Sequence, residues 1–483
     1  MIKRLLSNQI VKNFSVLTGT NIVIQFLSVL SSIRLARLLQ PDGYGLYNLL
    51  MVQSSIFSII AFFGLSLVII RYVARNKSES KYIFNVSNKI RIVSTLLAIL
   101  CLLIYNILIS KDSLTPLLIF LISSLVIFQS FWDSIQSIAF GNERMESAGY
   151  INLICTVFWV ISVYTIPKAN FNLNLLLIAY VIFQVIKTIS YYFWLKKKIL
   201  ENNQNVINNP DINIKSIIRQ SNYFFILAIF STIQTQVPVL LLNQNSTLDQ
   251  VGIFNLGNRI LSPMQMTLGM ALTSIYPSLF RLAFKNKEFF AIKIRKLLNF
   301  LVIIGVWACI CFTLFNREVV LMLYGNAYLG SAKVILIQCW VTLLFSLFST
   351  IGTVLSSYDK QRMLAILSVI HGTIAFPIFY IGSKYGAIGL AWASLISAYI
   401  NMTYHWIIFR KLLSPNLTFS YSFKLFSLIV LASISSLFMP FEYNFIIKIA
   451  LGLSVTIITG YLLIQKILKR IYSTSTEEQV MIS

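Results

Sequence analysis

The stretch Phe14–Leu39, FSVLTGTNIVIQFLSVLSSIRLARLL, carries no charge before Arg34. At 1.5 Å per residue it is long enough to cross a hydrocarbon core of about 30 Å. Three cations, Lys3, Arg4 and Lys12, precede it. A secretory signal would have a short apolar core followed by small residues, whereas this run continues to Leu39, so it is expected to stay as a first membrane helix. Runs of the same kind recur to the end of the sequence, near 44–70, 90–110, 115–139, 149–167, 172–195, 221–242, 251–280, 297–315, 333–356, 363–382, 388–409, 421–439 and 445–464. That makes about fourteen spans and an all-α, polytopic membrane bundle. Composition agrees: 57% of the 483 residues are hydrophobic and only 11% charged, against roughly a quarter charged in soluble domains.

The net charge of +24 would point to nucleic acid in a soluble protein. Here the cations sit in short blocks between apolar runs, which is the positive-inside pattern, and no aromatic–basic interleaving argues for nucleic acid. Counted by side, 29 of the 39 Lys and Arg fall at the termini and the even-numbered connections, and 8 on the opposite side. Both termini are therefore expected in the cytoplasm. The five cysteines all lie inside apolar runs without a CxxC partner, and read as small core residues rather than metal ligands. No phosphate-loop motif occurs. No cofactor is expected, nor any enzymatic activity, because the outward loops leave no room for a catalytic domain.

The turn before the second segment, Gly45-Leu46-Tyr47-Asn48-Leu49, matches the turn before the eighth, Gly252-Ile253-Phe254-Asn255-Leu256. Asp42 and Asp249 precede them by three residues, and basic clusters at 71–77 and 281–287 follow the two segments. A spacing of about two hundred residues predicts two like-oriented, pseudo-symmetric six-helix lobes around a central cavity. The lobes are expected at 1–195 and 221–410, joined by a cytoplasmic linker at 196–220, with two extra helices and a tail at 411–483.

The order of Leu35-Ala36-Arg37-Leu38-Leu39-Gln40-Pro41-Asp42-Gly43-Tyr44-Gly45-Leu46-Tyr47, Gly64-Leu65, Arg71, Gly141-Asn142-Glu143-Arg144, Leu323-Tyr324-Gly325-Asn326-Ala327-Tyr328 and Lys384-Tyr385-Gly386-Ala387-Ile388-Gly389-Leu390-Ala391 resembles polysaccharide repeat-unit flippases (O-antigen and capsule type) of the multidrug/oligosaccharidyl-lipid/polysaccharide exporter superfamily. The resemblance spans about residues 10 to 410. It implies a transporter in the bacterial cytoplasmic (inner) membrane. That transporter would flip undecaprenyl-diphosphate-linked oligosaccharide to the outer leaflet, among membrane lipids and beside a polysaccharide polymerase and a chain-length regulator. Flippases for lipid II or other lipid-linked precursors, and small-molecule exporters of the superfamily, are the alternatives.

Charge inside a membrane helix is costly and usually functional. Arg259 lies within the eighth segment among Gly257, Pro263, Gly269 and Pro277, and a guanidinium can grip a diphosphate bidentately. Arg34 and Arg37 lie near the outer end of the first segment, where an interfacial arginine would also sit. Asn255 belongs to the repeated turn. Asn21 and Gln25 occupy the first segment, where ion-coupled exporters of the superfamily carry a carboxylate. Asp133 and His371 are the candidates for ion coupling, although a buried histidine is more often a packed core residue, and Lys187 is expected to snorkel. Green fluorescent protein and alkaline phosphatase fused after Ser483 should give fluorescence without phosphatase activity; the reverse result would invert the topology.

Overall fold

The computed structural model describes residues 9–110, 114–166, 172–201, 214–283, 287–357 and 361–412, together with 448, 451, 453, 454, 456 and 457; for 9–15, 223, 270–293, 353, 354, 356, 357, 361 and 409–412 it describes the backbone alone. The chain is all-α, as expected. In order, α1 is Gln9–Phe62, α2 Leu65–Arg75, α3 Ser80–Ile104, α4 Pro116–Gly141, α5 Met145–Thr165, α6 Leu173–Leu195, α7 Ile214–Thr235 and α8 Val237–Asn245. Then come α9 Leu248–Ala283, α10 Lys287–Leu323, α11 Gly330–Ser357, α12 Gln361–Ser383 and α13 Gly386–Leu412.

Among the described residues, eight helices are long and apolar enough to cross a membrane, and the bent pair α7–α8, with 44° between its halves, makes a ninth. The apolar part of α1, Val16–Phe62, is 47 residues long, about 70 Å at helical rise and so twice a bilayer core. It is two spans in one element. Gln40, at φ 57° and ψ 171°, breaks it before Pro41, where the first and second segments meet. Of the fourteen expected spans, the eighth and twelfth, 251–280 and 388–409, form α9 and α13 but are not among those eight helices; the thirteenth lies outside the described residues and the fourteenth is described at six positions.

Two compact units are present, residues 1–260 with 365–393, and residues 261–364 with 394–483. The expected lobe boundaries at 195, 221 and 410 remain a proposal, and most of the linker and of 411–483 lies outside the described residues. Within the first unit, α1, α3, α4 and α6 share a core that includes Leu50, Phe57, Leu102, Ile122 and Leu177. Water does not drive such packing in lipid, so close approach and satisfied polar groups matter more. Serines of α1 return their hydroxyls to carbonyls one turn back: Ser28 to Gln25, Ser31 to Ser28 and Ser32 to Val29, at 2.7–2.9 Å.

The internal repeat is visible as geometry. A Cβ on Gly45 would lie 1.8 Å from the Leu248 carbonyl oxygen, and one on Gly252 would lie 2.3 Å from the Pro41 carbonyl oxygen. Gly45 corresponds to Gly252 and Pro41 to Leu248, so the two contacts are the same contact seen from either side. The repeat extends to side chains: Asn48 Nδ2 donates to the Tyr44 carbonyl at 2.7 Å, and Asn255 Nδ2 donates to the Val251 carbonyl at 2.9 Å. The two turns therefore meet head to head, each glycine leaving room for the other's backbone. Gly45→Ala and Gly252→Ala should each destabilise the folded protein by about 1–3 kcal/mol through overpacking. Because they strain one shared interface, the double variant should lose much less than the sum. Gly19→Ala, inside α1 and meeting nothing within 4 Å, should leave the melting temperature in detergent no lower, because alanine favours the helix over glycine.

Candidate functional site

Gly252, Asn255 and Arg259 lie on one face of α9, three and four residues apart. The close approach at Gly252 thus carries Arg259 toward the first half of α1. Its Nη2 donates to the Ser28 carbonyl at 3.0 Å. That carbonyl also accepts the Ser31 hydroxyl at 2.9 Å, so it holds two donors. The guanidinium acts electrostatically on the phenols of Tyr44, Tyr47 and Tyr180. Tyr44 and Tyr47 stack at 6.3 Å between ring centroids, and Trp159 meets Tyr180 edge-on at 4.9 Å. Arg259 of α9 thus lies within electrostatic reach of phenols on α1 and α6, with Trp159 of α5 packed on Tyr180.

Arg34 stands six residues beyond Ser28, about 9 Å along the same helix, and faces elsewhere. Its guanidinium carbon lies 5.9 Å from the centre of the Tyr164 ring, and Tyr164 in turn donates its hydroxyl to the Leu30 carbonyl at 3.1 Å. Arg34 Nε is buried without a hydrogen-bond partner. No carboxylate among the described residues pairs with Arg34. Arg37 is exposed and Asn255 half-buried; Asn21 is exposed and Gln25 half-buried. The structure therefore gathers Arg259, Asn255 and the Ser28 end of α1, sets Arg34 against α5, and leaves Arg37 and Asn21 at the surface.

Asp133 is held in a network. Its Oδ2 accepts from Arg91 Nη2 at 2.9 Å and from the Ser66 hydroxyl at 2.5 Å. Arg91 Nη1 donates to the Ser130 carbonyl at 2.9 Å, and the Arg91 side chain is 2% exposed. On sequence alone Arg91 belongs to an inner basic block, because the third apolar run starts at residue 90. The helix begins earlier, at Ser80. The signal was Asn76-Lys77-Ser78-Glu79: the Asn76 side chain accepts from Ser78 N and donates to Glu79 Oε1 at 2.8 Å, resembling a capping box. Read that way, Arg91 falls three turns inside a membrane helix and needs a partner.

His371 is buried on α12 at 3% exposure. Lys187 does not need to reach out of the bundle, because its Nζ lies 4.5 Å from the Trp132 ring centre, a favourable place for an ammonium. Among the described residues no group of three His, Cys, Asp or Glu could hold a metal ion. Removing one partner of a buried ion pair typically costs 3–5 kcal/mol, whereas replacing both by apolar groups can be neutral. Asp133→Asn should therefore lower the melting temperature sharply, and the pair Arg91→Met with Asp133→Leu should recover most of the loss.

Residues 10–283 match the family model described as polysaccharide biosynthesis protein. A capsular polysaccharide biosynthesis protein, CapF of Staphylococcus aureus, is 23% identical over 414 residues, covering 83% of this chain and all of the relative. Among solved structures, the lipid II flippase MurJ in an inward closed conformation superposes with a TM-score of 0.69 at 16% identity, over 93% of this chain and 99% of that one. An inward-facing multidrug transporter of the MATE family of the MOP superfamily superposes with a TM-score of 0.62 at 14% identity, over 80% of this chain and 95% of the other. These likenesses establish the fold, and the family model covers more than half of the sequence. The chain belongs to the polysaccharide biosynthesis protein family, and its fold is that of the lipid II flippase MurJ and of MATE-family transporters.

Proposed function

We propose that the protein flips undecaprenyl-diphosphate-linked oligosaccharide repeat units from the cytoplasmic to the outer leaflet by alternating access, for the synthesis of a surface polysaccharide. The observation that carries this reading is Arg259, a cation on α9 that donates to the Ser28 carbonyl of α1 and acts electrostatically on the phenols of Tyr44, Tyr47 and Tyr180. A guanidinium suits diphosphate oxygens, and Tyr and Trp faces suit sugar rings. Arg34, which faces the Tyr164 ring and pairs with no carboxylate among the described residues, supplies a further positive charge. Membership in a polysaccharide family favours a glycan repeat unit over lipid II as the cargo. An exporter of organic cations would need an acidic interior, and the membrane carboxylate on α4, Asp133, is already neutralised by Arg91.

Alternating access requires the Gly45–Gly252 contact to part, since that contact joins the two repeat-related turns. In a strain dependent on this protein, Arg259→Ala should abolish surface glycan while protein level stays normal and lipid-linked oligosaccharide accumulates on the cytoplasmic side. Arg259→Lys, which keeps the charge and loses the fork, should retain part of the export. Unchanged surface glycan in Arg259→Ala would remove this residue from the site. Loss of glycan without accumulated intermediate would point to a synthetic rather than a transport step.

A further inference from the structure

The second span does not run straight to its basic end. Phe63 and Gly64 both take left-handed backbone angles, φ 49° and 62°, and α2 starts again at Leu65 in a new direction. An aromatic residue at positive φ is held there by its surroundings. The turn leading into the break is held by α3. Ser94 donates its hydroxyl to the Ala61 carbonyl at 2.7 Å, and Arg91 lies 6.0 Å from the Phe62 ring centre. Beyond the break, Ser66 bonds the Asp133 carboxylate that Arg91 also holds. A Cβ on Gly141 at the end of α4 would meet Val73 at 2.6 Å, and Lys77 pairs with Glu143 at 2.8 Å. From root to tip, α2 is fastened to α3 and α4.

Its opposite side meets α7 by a different kind of contact. A Cβ on Gly64 would lie 2.6 Å from both Phe225 N and the Ser221 carbonyl oxygen. Phe63 and Phe225 pack with ring centres 4.9 Å apart. Gln220 Nε2 donates to the Tyr72 hydroxyl at 2.7 Å, and Arg71 lies 5.9 Å from the Phe224 ring centre. Apolar faces in a membrane can exchange a helix for lipid tails at little cost, whereas separating a buried charge pair is expensive. Both edges of this contact are also basic, with Arg71 and Arg75 exposed on α2 and Lys215 and Arg219 exposed on α7. The α3/α4 side is built to stay, and the α7 side is built to part.

We propose that α2, set by the Arg91–Asp133 pair, is the fixed jamb of a gate at the basic end of the bundle, and that the first turns of α7 are the leaf that separates from it. Arg91 and Asp133 are then positioning residues rather than carriers of a coupling ion. The gate opposes the Gly45–Gly252 contact near the other end of the same span, so the second span is gripped at both ends and a transport cycle releases them in turn.

Ser221 is the natural reporter, being fully buried with an unpartnered hydroxyl. In a variant without the five native cysteines, Ser221→Cys should react slowly with a membrane-impermeant maleimide in inside-out vesicles. Tyr72→Phe removes the latching hydrogen bond and should speed labelling roughly fivefold, the factor such a bond confers. Gly64→Ala wedges the joint and should speed it further while lowering export. One equal, slow rate in all three backgrounds, with export intact, would overturn the gate. Should Gly64→Ala fail to accumulate, the Tyr72→Phe rate alone decides. Labelling needs no glycan, so a wrong cargo assignment would show in the export assay and leave the gate standing, and the converse holds.

Discussion

The contact of Gly45 with the Leu248 carbonyl and of Gly252 with the Pro41 carbonyl governs where the first unit places its helices and its charge. Two backbones approach there more closely than any side chain would permit. In a bilayer, where apolar surface gains little by leaving lipid, such an approach is one of the few ways helices hold together. It also fixes direction. Two turns beyond Gly252 on the same face, Arg259 is delivered to α1, where Ser28 receives it. Arg259 is thus placed by the repeat's shared contact, although the position equivalent to it in the first half is Val52. The fold is pseudo-symmetric and the chemistry is one-sided.

The charges within and beside the apolar helices then sort by what surrounds them. Arg91, at 2% exposure, and Asp133 neutralise one another and are tied to Ser66 and Ser130. Lys448, in the fourteenth segment, pairs with Glu318 of α10 at 2.6 Å, and Trp307 Nε1 donates to the Thr456 hydroxyl at 3.1 Å. These two contacts run antiparallel, so the segment outside the repeat is fastened along α10. Such pairs hold structure. Arg259 instead donates to the Ser28 backbone carbonyl, and Arg34 faces the Tyr164 ring.

Much of this was legible in the residues. Apolar length and charge asymmetry marked the spans, and the Gly45 and Gly252 turns marked the repeat, because glycine and its flanking acid survive in both copies. The break at Gln40 falls in the polar Gln40-Pro41-Asp42-Gly43 joint between the first two apolar runs and was legible there. Phe63–Gly64 was harder, a local backbone choice imposed by tertiary contacts and concealed inside the unbroken apolar run 44–70. The partner of Asp133 was illegible for a related reason: Arg91 lies 42 residues away, and only the true start of α3 turns it inward. Lys187 satisfied by Trp132 is likewise a long-range fact. Arg34 reads from its segment as a charge near a membrane helix end, but its neighbour Tyr164 cannot be read from helical spacing on α1 alone.

Transport, on this reading, closes and opens one reciprocal contact between the two repeat-related turns. Spin labels at Asp42 and Thr247, both exposed beside that contact, measure it directly by pulsed electron–electron resonance in nanodiscs. A short, well-populated distance is predicted, together with a second, longer one whose share changes when the lipid-linked oligosaccharide is added. A single narrow distance, unaltered by substrate, would mean that the turns are permanently joined and that the cargo takes another route.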